Sequence, residues 1–151
     1  MTMGIRQATL DDLPVLINLG ELMHAESPRF SRITFSPARL GHTLAALVQS
    51  PMGFVWVTET EAGEVVGGLM ATAFQHWASD DLMTTDLALF LAPEHRGGTA
   101  AARLTRKYHQ WARDLGAKLI QQGVTTGVHT DQTVQLLERL GMKRCGVILE
   151  A

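Results

Sequence analysis

The stretch from Thr84 to Ala101 constrains this chain more than any other, because it runs from an apolar strand into a helix through a proline and two glycines. Thr84–Leu91 alternates, with Leu87, Leu89 and Leu91 on one face and Asp86, Ala88 and Phe90 on the other. Pro93-Glu94-His95-Arg96-Gly97-Gly98 makes a loop. Ala101, Leu104, Tyr108, Trp111 and Leu115 then recur at helical spacing, and Gly116 stops the helix. Lys118–Val124 reads as another strand. A strand–helix–strand unit of this kind closes right-handed and sets its two strands parallel.

The remaining segments extend this unit. Ile5–Ala8 reads as a first strand, and Thr9 caps a helix whose first turn carries Asp11 and Asp12. Leu13, Leu16, Ile17, Gly20 and Met23 mark its buried face, and Pro28 ends it. Ser36-Pro37 opens a second helix to about Gln49, with Ser50-Pro51 as its stop. Phe54–Glu59, a turn at Ala62-Gly63 and Val65–Trp77 read as an antiparallel hairpin. Gly67-Gly68 marks a bulge or a close backbone approach there. Ala78–Asp81 leads into the central strand, Thr130 or Asp131 caps a last helix through Leu140, and Lys143–Leu149 can form a final strand. The order β-α-α-β-β-β-α-β-α-β predicts an α/β (α+β) mixed sheet with helices on its faces and one domain over residues 1–151.

Thirteen basic and 15 acidic residues leave a net charge of −2, which is not the footprint of a general nucleic-acid binder. The single cysteine, Cys145, permits no intramolecular disulfide, and the six histidines lack a His-Glu-x-x-His spacing, so no metal site is expected. Met1–Gln7 has no signal-peptide pattern, and no apolar run approaches the roughly 18 residues of a membrane span. The expectation is a soluble protein of the cytoplasm.

The Arg96-Gly97-Gly98 loop has the composition of a pyrophosphate cradle. Backbone N–H groups at a helix start are unsatisfied, the helix dipole adds positive character, and small side chains let a phosphate approach. It lacks the Gly-Lys-Ser/Thr ending of a Walker A loop and the Gly-x-Gly-x-x-Gly of a dinucleotide loop. Read alone, it is equally a plain strand-to-helix turn.

The segment Leu91-Ala92-Pro93-Glu94-His95-Arg96-Gly97 resembles the coenzyme A site of the GNAT superfamily of N-acetyltransferases. Ile5–Leu13, Asp114-Leu115-Gly116-Ala117-Lys118 and Leu136–Met142 resemble other stretches of that family, so the likeness covers nearly the whole chain. The resemblance implies a GNAT-like mixed sheet of about six to seven strands flanked by about four helices. It also implies acetyl-coenzyme A as cosubstrate, transfer of acetyl to an amine, and a homodimer. By the same resemblance the backbone of Leu89, Phe90 and Leu91 pairs with the pantetheine arm, and Arg96, Gly97, Gly98, Thr99, Ala100, Ala101 and Ala102 hold the pyrophosphate. Thr130, or Asp131 beside it, stands where the family often has an asparagine near the pantetheine.

Two positions depart from that pattern. Thr99 replaces the first loop glycine, and a left-handed backbone there would be strained. Leu137 stands where many members carry the tyrosine that protonates the departing thiolate. Leucine donates no proton, which favours a second reading: a weakly catalytic GNAT-fold module that binds coenzyme A or a partner.

Attack by an amine needs its neutral form, hence a base or a water path. Asp86 on the central strand is the first candidate and Glu26 after the first helix the second, each set against a solvated carboxylate. His76 is a third group with a useful range. Glu21, Glu26, Asp80 and Asp81 suggest a cationic small-molecule or peptide acceptor. Trp111, Tyr108, Met23, Met70 and Met83 read as core.

Overall fold

The computed structural model describes residues 3–151; Met1 and Thr2, where the expected domain begins, lie outside the described residues. Among the described residues, five strands form one sheet in the order β1-β2-β3-β4-β5, with β1 Gly4–Gln7, β2 Gly53–Glu59, β3 Val65–Gln75, β4 Leu82–Leu91 and β5 Leu119–Gln121. The first four are antiparallel, and β5 runs parallel to β4. The helices are α1 Leu13–Glu26, α2 Pro37–Val48, α3 Ala100–Asp114 and α4 Thr130–Arg139. The expected mixed sheet with four helices is present, but five strands stand where six to seven were expected. Lys143–Leu149 forms no strand.

Each face of the sheet carries its own core. Phe54, Leu69, Ala71, Leu104, Tyr108 and Ala112 pack between the sheet and α3. Ala8, Leu44, Val55, Val57 and Val65 pack on the opposite face, with Leu13, Leu16, Ile17 and Leu40 of α1 and α2. Tyr108 is fully buried; its hydroxyl donates to the Gln121 carbonyl at 2.7 Å and accepts from the Thr84 hydroxyl at 3.0 Å. That pair of bonds satisfies the phenol and fastens α3 to the β4–β5 junction.

The N-terminal cap is built by Asp12. Its carboxylate accepts from the Thr9 N–H at 2.8 Å and from both terminal nitrogens of Arg6 at 2.8 and 2.9 Å. Arg6 holds the Asp12 carboxyl below its ordinary range.

Gly67 and Gly68 are close backbone approaches, and the pairing of β3 with β2 also shifts register beside them, where Val66 has no partner. A Cβ on Gly67 would lie 2.5 Å from the Phe90 carbonyl oxygen, and one on Gly68 2.7 Å from that of Trp56. The register shift that shapes the site falls elsewhere. Met70 opposes Ala88 and Ala71 opposes Asp86, so Leu87 has no partner and β4 is bulged there. The extra residue switches the alternation. Asp86 and Leu89 oppose Ala71 and Leu69 on the α3 face, while Ala88 opposes Met70 on the other. The expectation that Asp86 shares a face with Ala88 and Phe90 is therefore corrected.

Candidate functional site

β4 and β5 stay together for only three pairs, Met83↔Leu119, Thr84↔Ile120 and Thr85↔Gln121. Beyond them the strands part, and Asp86 stands at the fork. Its Oδ1 accepts the Gly123 N–H at 2.8 Å, where a longer ladder would have placed a backbone acceptor. Burial raises the Asp86 pKa to about 6, and the Gly123 bond opposes that rise. Past the fork, Leu87–Leu91 has no strand beside it on the β5 side among the described residues. That open strand edge has the geometry an added extended segment requires.

That edge ends in the Pro93–Thr99 turn. Pro93–His95 makes one 3₁₀ turn, and α3 begins at Ala100 with Thr99 as N-cap. Gly97 takes the left-handed conformation, with φ +95, which glycine adopts at little cost. Thr99 has φ −98, so the strain foreseen at that position is absent. A Cβ on Gly98 would meet nothing within 4 Å, which leaves the turn open above the α3 N-terminus. The space and the amides suit a phosphate group. Ala100 is buried, while Ala101 and Ala102 are partly exposed along the first turn.

The Arg96 side chain folds back from this turn. Its Nε donates to the Leu91 carbonyl at 2.8 Å, its Nη2 donates to both Glu26 oxygens at 2.9 and 3.2 Å, and its guanidinium lies 5.3 Å from the Phe90 ring centre. Two expected site residues, Arg96 and Glu26, thus meet each other. Glu26 is the last residue of α1, so this ion pair ties the turn to the α1 C-terminus.

A second set of bonds lies just past the end of α1. Ser27 Oγ donates to the Thr126 carbonyl at 2.5 Å, and Arg29 Nη1 donates to the Thr125 carbonyl at 3.3 Å. The loop between β5 and α4 is thereby fixed to the end of α1. Thr130 is the first residue of α4, preceded by His129 at φ 48, so it stands on this same loop. Sequence reasoning missed Ser27, Arg29 and Gly123; the Ser27-Pro28 turn carried a local signal, and the others carried none.

Other expected residues lie apart. Asp80 and Asp81 sit in the β3–β4 connection, at the opposite end of β4 from the turn. Asp81 is five residues from Asp86, roughly 17 Å along a strand. His76 accepts the Ala78 N–H on its Nδ1 at 3.0 Å and shapes that connection. Leu137 is buried, with 5% of its surface exposed. Among the described residues, no helix is long and apolar enough to cross a membrane.

A family model for the acetyltransferase (GNAT) family matches residues 19–142. Among solved structures, an aminoglycoside acetyltransferase from an uncultured soil metagenomic sample has TM-score 0.72 at 18% identity, with 100% of this chain and 98% of that chain covered. A transcriptional regulator from Bacillus halodurans C-125 gives 0.78 at 19%, with 99% of each chain covered. Glucosamine-6-phosphate N-acetyltransferase from Arabidopsis thaliana gives 0.75 at 13%, with 100% and 98% covered. At such identities the likeness is one of fold. No curated protein matches the chain.

Proposed function

We propose, since this chain belongs to the acetyltransferase (GNAT) family, that it transfers an acetyl group from acetyl-coenzyme A to an amine by direct attack in a ternary complex. The observation that carries the proposal is the parting of β4 and β5 at Asp86, which opens a strand edge leading to the glycine turn at the head of α3. In this reading the Leu89–Leu91 backbone holds the pantetheine arm, the amides from Gly97 to Ala102 hold the pyrophosphate, and Thr130 borders the arm from the opposite loop. When bound, acetyl-coenzyme A supplies a thioester carbonyl open to attack by a neutral amine.

Asp86 is the base in this proposal. A carboxylate with pKa about 6 is mostly ionised at pH 7 yet far more basic than an ordinary aspartate. It takes the proton that the amine loses as the N–C bond forms and the C–S bond breaks. Glu26 serves differently from the sequence expectation. Held by Arg96, it is a charge at the mouth, suited to a cationic acceptor, and it offsets the guanidinium's attraction for a phosphate.

Leu137 favours the second reading, a weakly catalytic coenzyme A-binding module. Its side chain is packed in the interior, and no hydroxyl stands at that position to protonate a leaving thiolate. An amine screen read by thiol release separates the two readings. Turnover with at least one cationic amine supports transfer, whereas tight cofactor binding with no thiol release supports the binding module.

A further inference from the structure

Three cations crowd one face of α3. Arg103, Arg106 and Lys107 stand three and four residues apart, so they are neighbours on the helix surface. Like charges at this spacing oppose the helix, and Arg103, the fourth residue of α3, also meets the positive end of the helix dipole. Among the described residues, none of the three pairs with a carboxylate. Asp114, the sole acid of α3, accepts the Gln110 amide at 2.8 Å instead.

Two of these cations are nonetheless held in place. Arg103 donates through Nε to the Thr99 Oγ1 at 3.3 Å and through Nη2 to the Met3 carbonyl. The Lys107 amine lies 4.9 Å from the centre of the Trp56 ring. Together with Ile5 and Gln110, the three cations line an open hollow of about 380 Å³. Ile5 belongs to β1, the sheet edge opposite β5. His109, which bonds Gln122 just past β5 at 3.3 Å, marks the other flank of the helix. The hollow therefore lies on the side of α3 away from the fork at Asp86.

We propose that this hollow is an anion site separate from the turn, and that it takes a small ligand carrying two or more linked phosphoryl groups. Arginine forks and a lysine point charge are the side chains that hold phosphate oxygens. Arg103 and Lys107 are roughly 6 Å apart along the helix axis, the reach of a di- or triphosphate rather than of one phosphate. A single phosphoryl group carries only about 1.5–2 negative charges, too few to match three cations, whereas a linked pair carries more. Binding would relieve the repulsion along α3, so the ligand stabilises the helix that it occupies. This inference does not depend on the chemistry proposed above.

Titration of tripolyphosphate into the full chain near pH 7 and about 50 mM salt tests it, read by calorimetry and by the NMR shift of the Ile5 methyl groups. Gly98→Asp blocks the turn, so the hollow is read alone in that background. Binding there is expected at a Kd on the order of 0.1 mM, with a shift at Ile5. Adding Arg106→Glu is expected to weaken it at least tenfold, about 1.4 kcal/mol, and adding Lys107→Gln severalfold. Both side chains are exposed, so the circular dichroism spectrum should not change. No binding at about 10 mM tripolyphosphate, or binding that Arg106→Glu leaves intact, overturns the proposal. So does reversal of the wild-type Ile5 shift by coenzyme A, because the hollow would then be an arm of the cofactor's own site.

Discussion

At Asp86, one carboxylate sits at a fork between two strands, and both its basicity and its cost follow from that placement. Because burial raises its pKa to about 6 from the ordinary aspartate value of 3.8, the protonated form is favoured by the fold. The sign is that of a raised acid: its contribution to stability is full below about pH 4 and is lost as the pH climbs through 6. Asp86→Asn should therefore be more stable than wild type at pH 8, by roughly 1–3 kcal/mol, as read from urea melts at pH 8 and pH 4. The same variant should lower kcat by about 10²-fold or more and abolish the rise of kcat/KM through pH 6. An unchanged pH profile would remove Asp86 from the chemistry. Glu26 gives the complementary case. Glu26→Gln releases Arg96 from its ion pair and should tighten coenzyme A binding severalfold, roughly 3–10-fold, in a calorimetric titration. Weaker binding would mean that the pair organises the turn.

At the scale of elements, the two adjacent glycines of the turn do different work. Gly97 has φ +95, so Gly97→Ala should cost about 1 kcal/mol or more in stability. Gly98 has open space where a Cβ would point. Gly98→Ala should leave the melting temperature nearly unchanged yet weaken cofactor binding, and paired thermal melts and titrations distinguish the two. Tyr108→Phe should destabilise by about 1–2 kcal/mol, because the Thr84 and Gln121 groups it bonds are left short of a partner. Most elements were legible from the chain. The Ser36-Pro37 start of α2, the Tyr108–Trp111 spacing on α3 and the Gly-Gly turn each state their geometry through local chemistry. The bulge at Leu87 was not legible, because Thr84–Leu91 alternates without interruption and only the pairing with β3 reveals the extra residue. That one residue decides which face Asp86 occupies.

Considered whole, the molecule is a two-sided sheet whose pairing is incomplete in two places. The gap between β4 and β5 opens at Asp86 and leads along the edge of β4 to the turn. The unpaired segment after Met142 lies at the outside. For the first, the loop after β4 marked only the neighbourhood, because Lys118–Val124 reads as a full strand and the early parting of β4 and β5 shows only in their pairing. For the second, Lys143–Leu149 has strand composition, but strand formation needs a partner, and composition cannot supply one. The Arg96–Glu26 pair was equally invisible, since 70 residues separate the two and each also reads as a solvated charge. Their meeting is a property of how α1 and the turn are packed.

The central claim is that the turn before α3 holds the pyrophosphate of coenzyme A, and the most direct measurement is calorimetric titration of acetyl-coenzyme A into wild type and Gly98→Asp. The side chain added at Gly98 points into open space, so the variant should keep the wild-type melting temperature while placing a negative charge in the cradle. The account predicts micromolar binding to wild type and a loss of at least tenfold, about 1.4 kcal/mol, in the variant. Absence of binding to wild type at millimolar cofactor, or equal binding to both proteins, would contradict it.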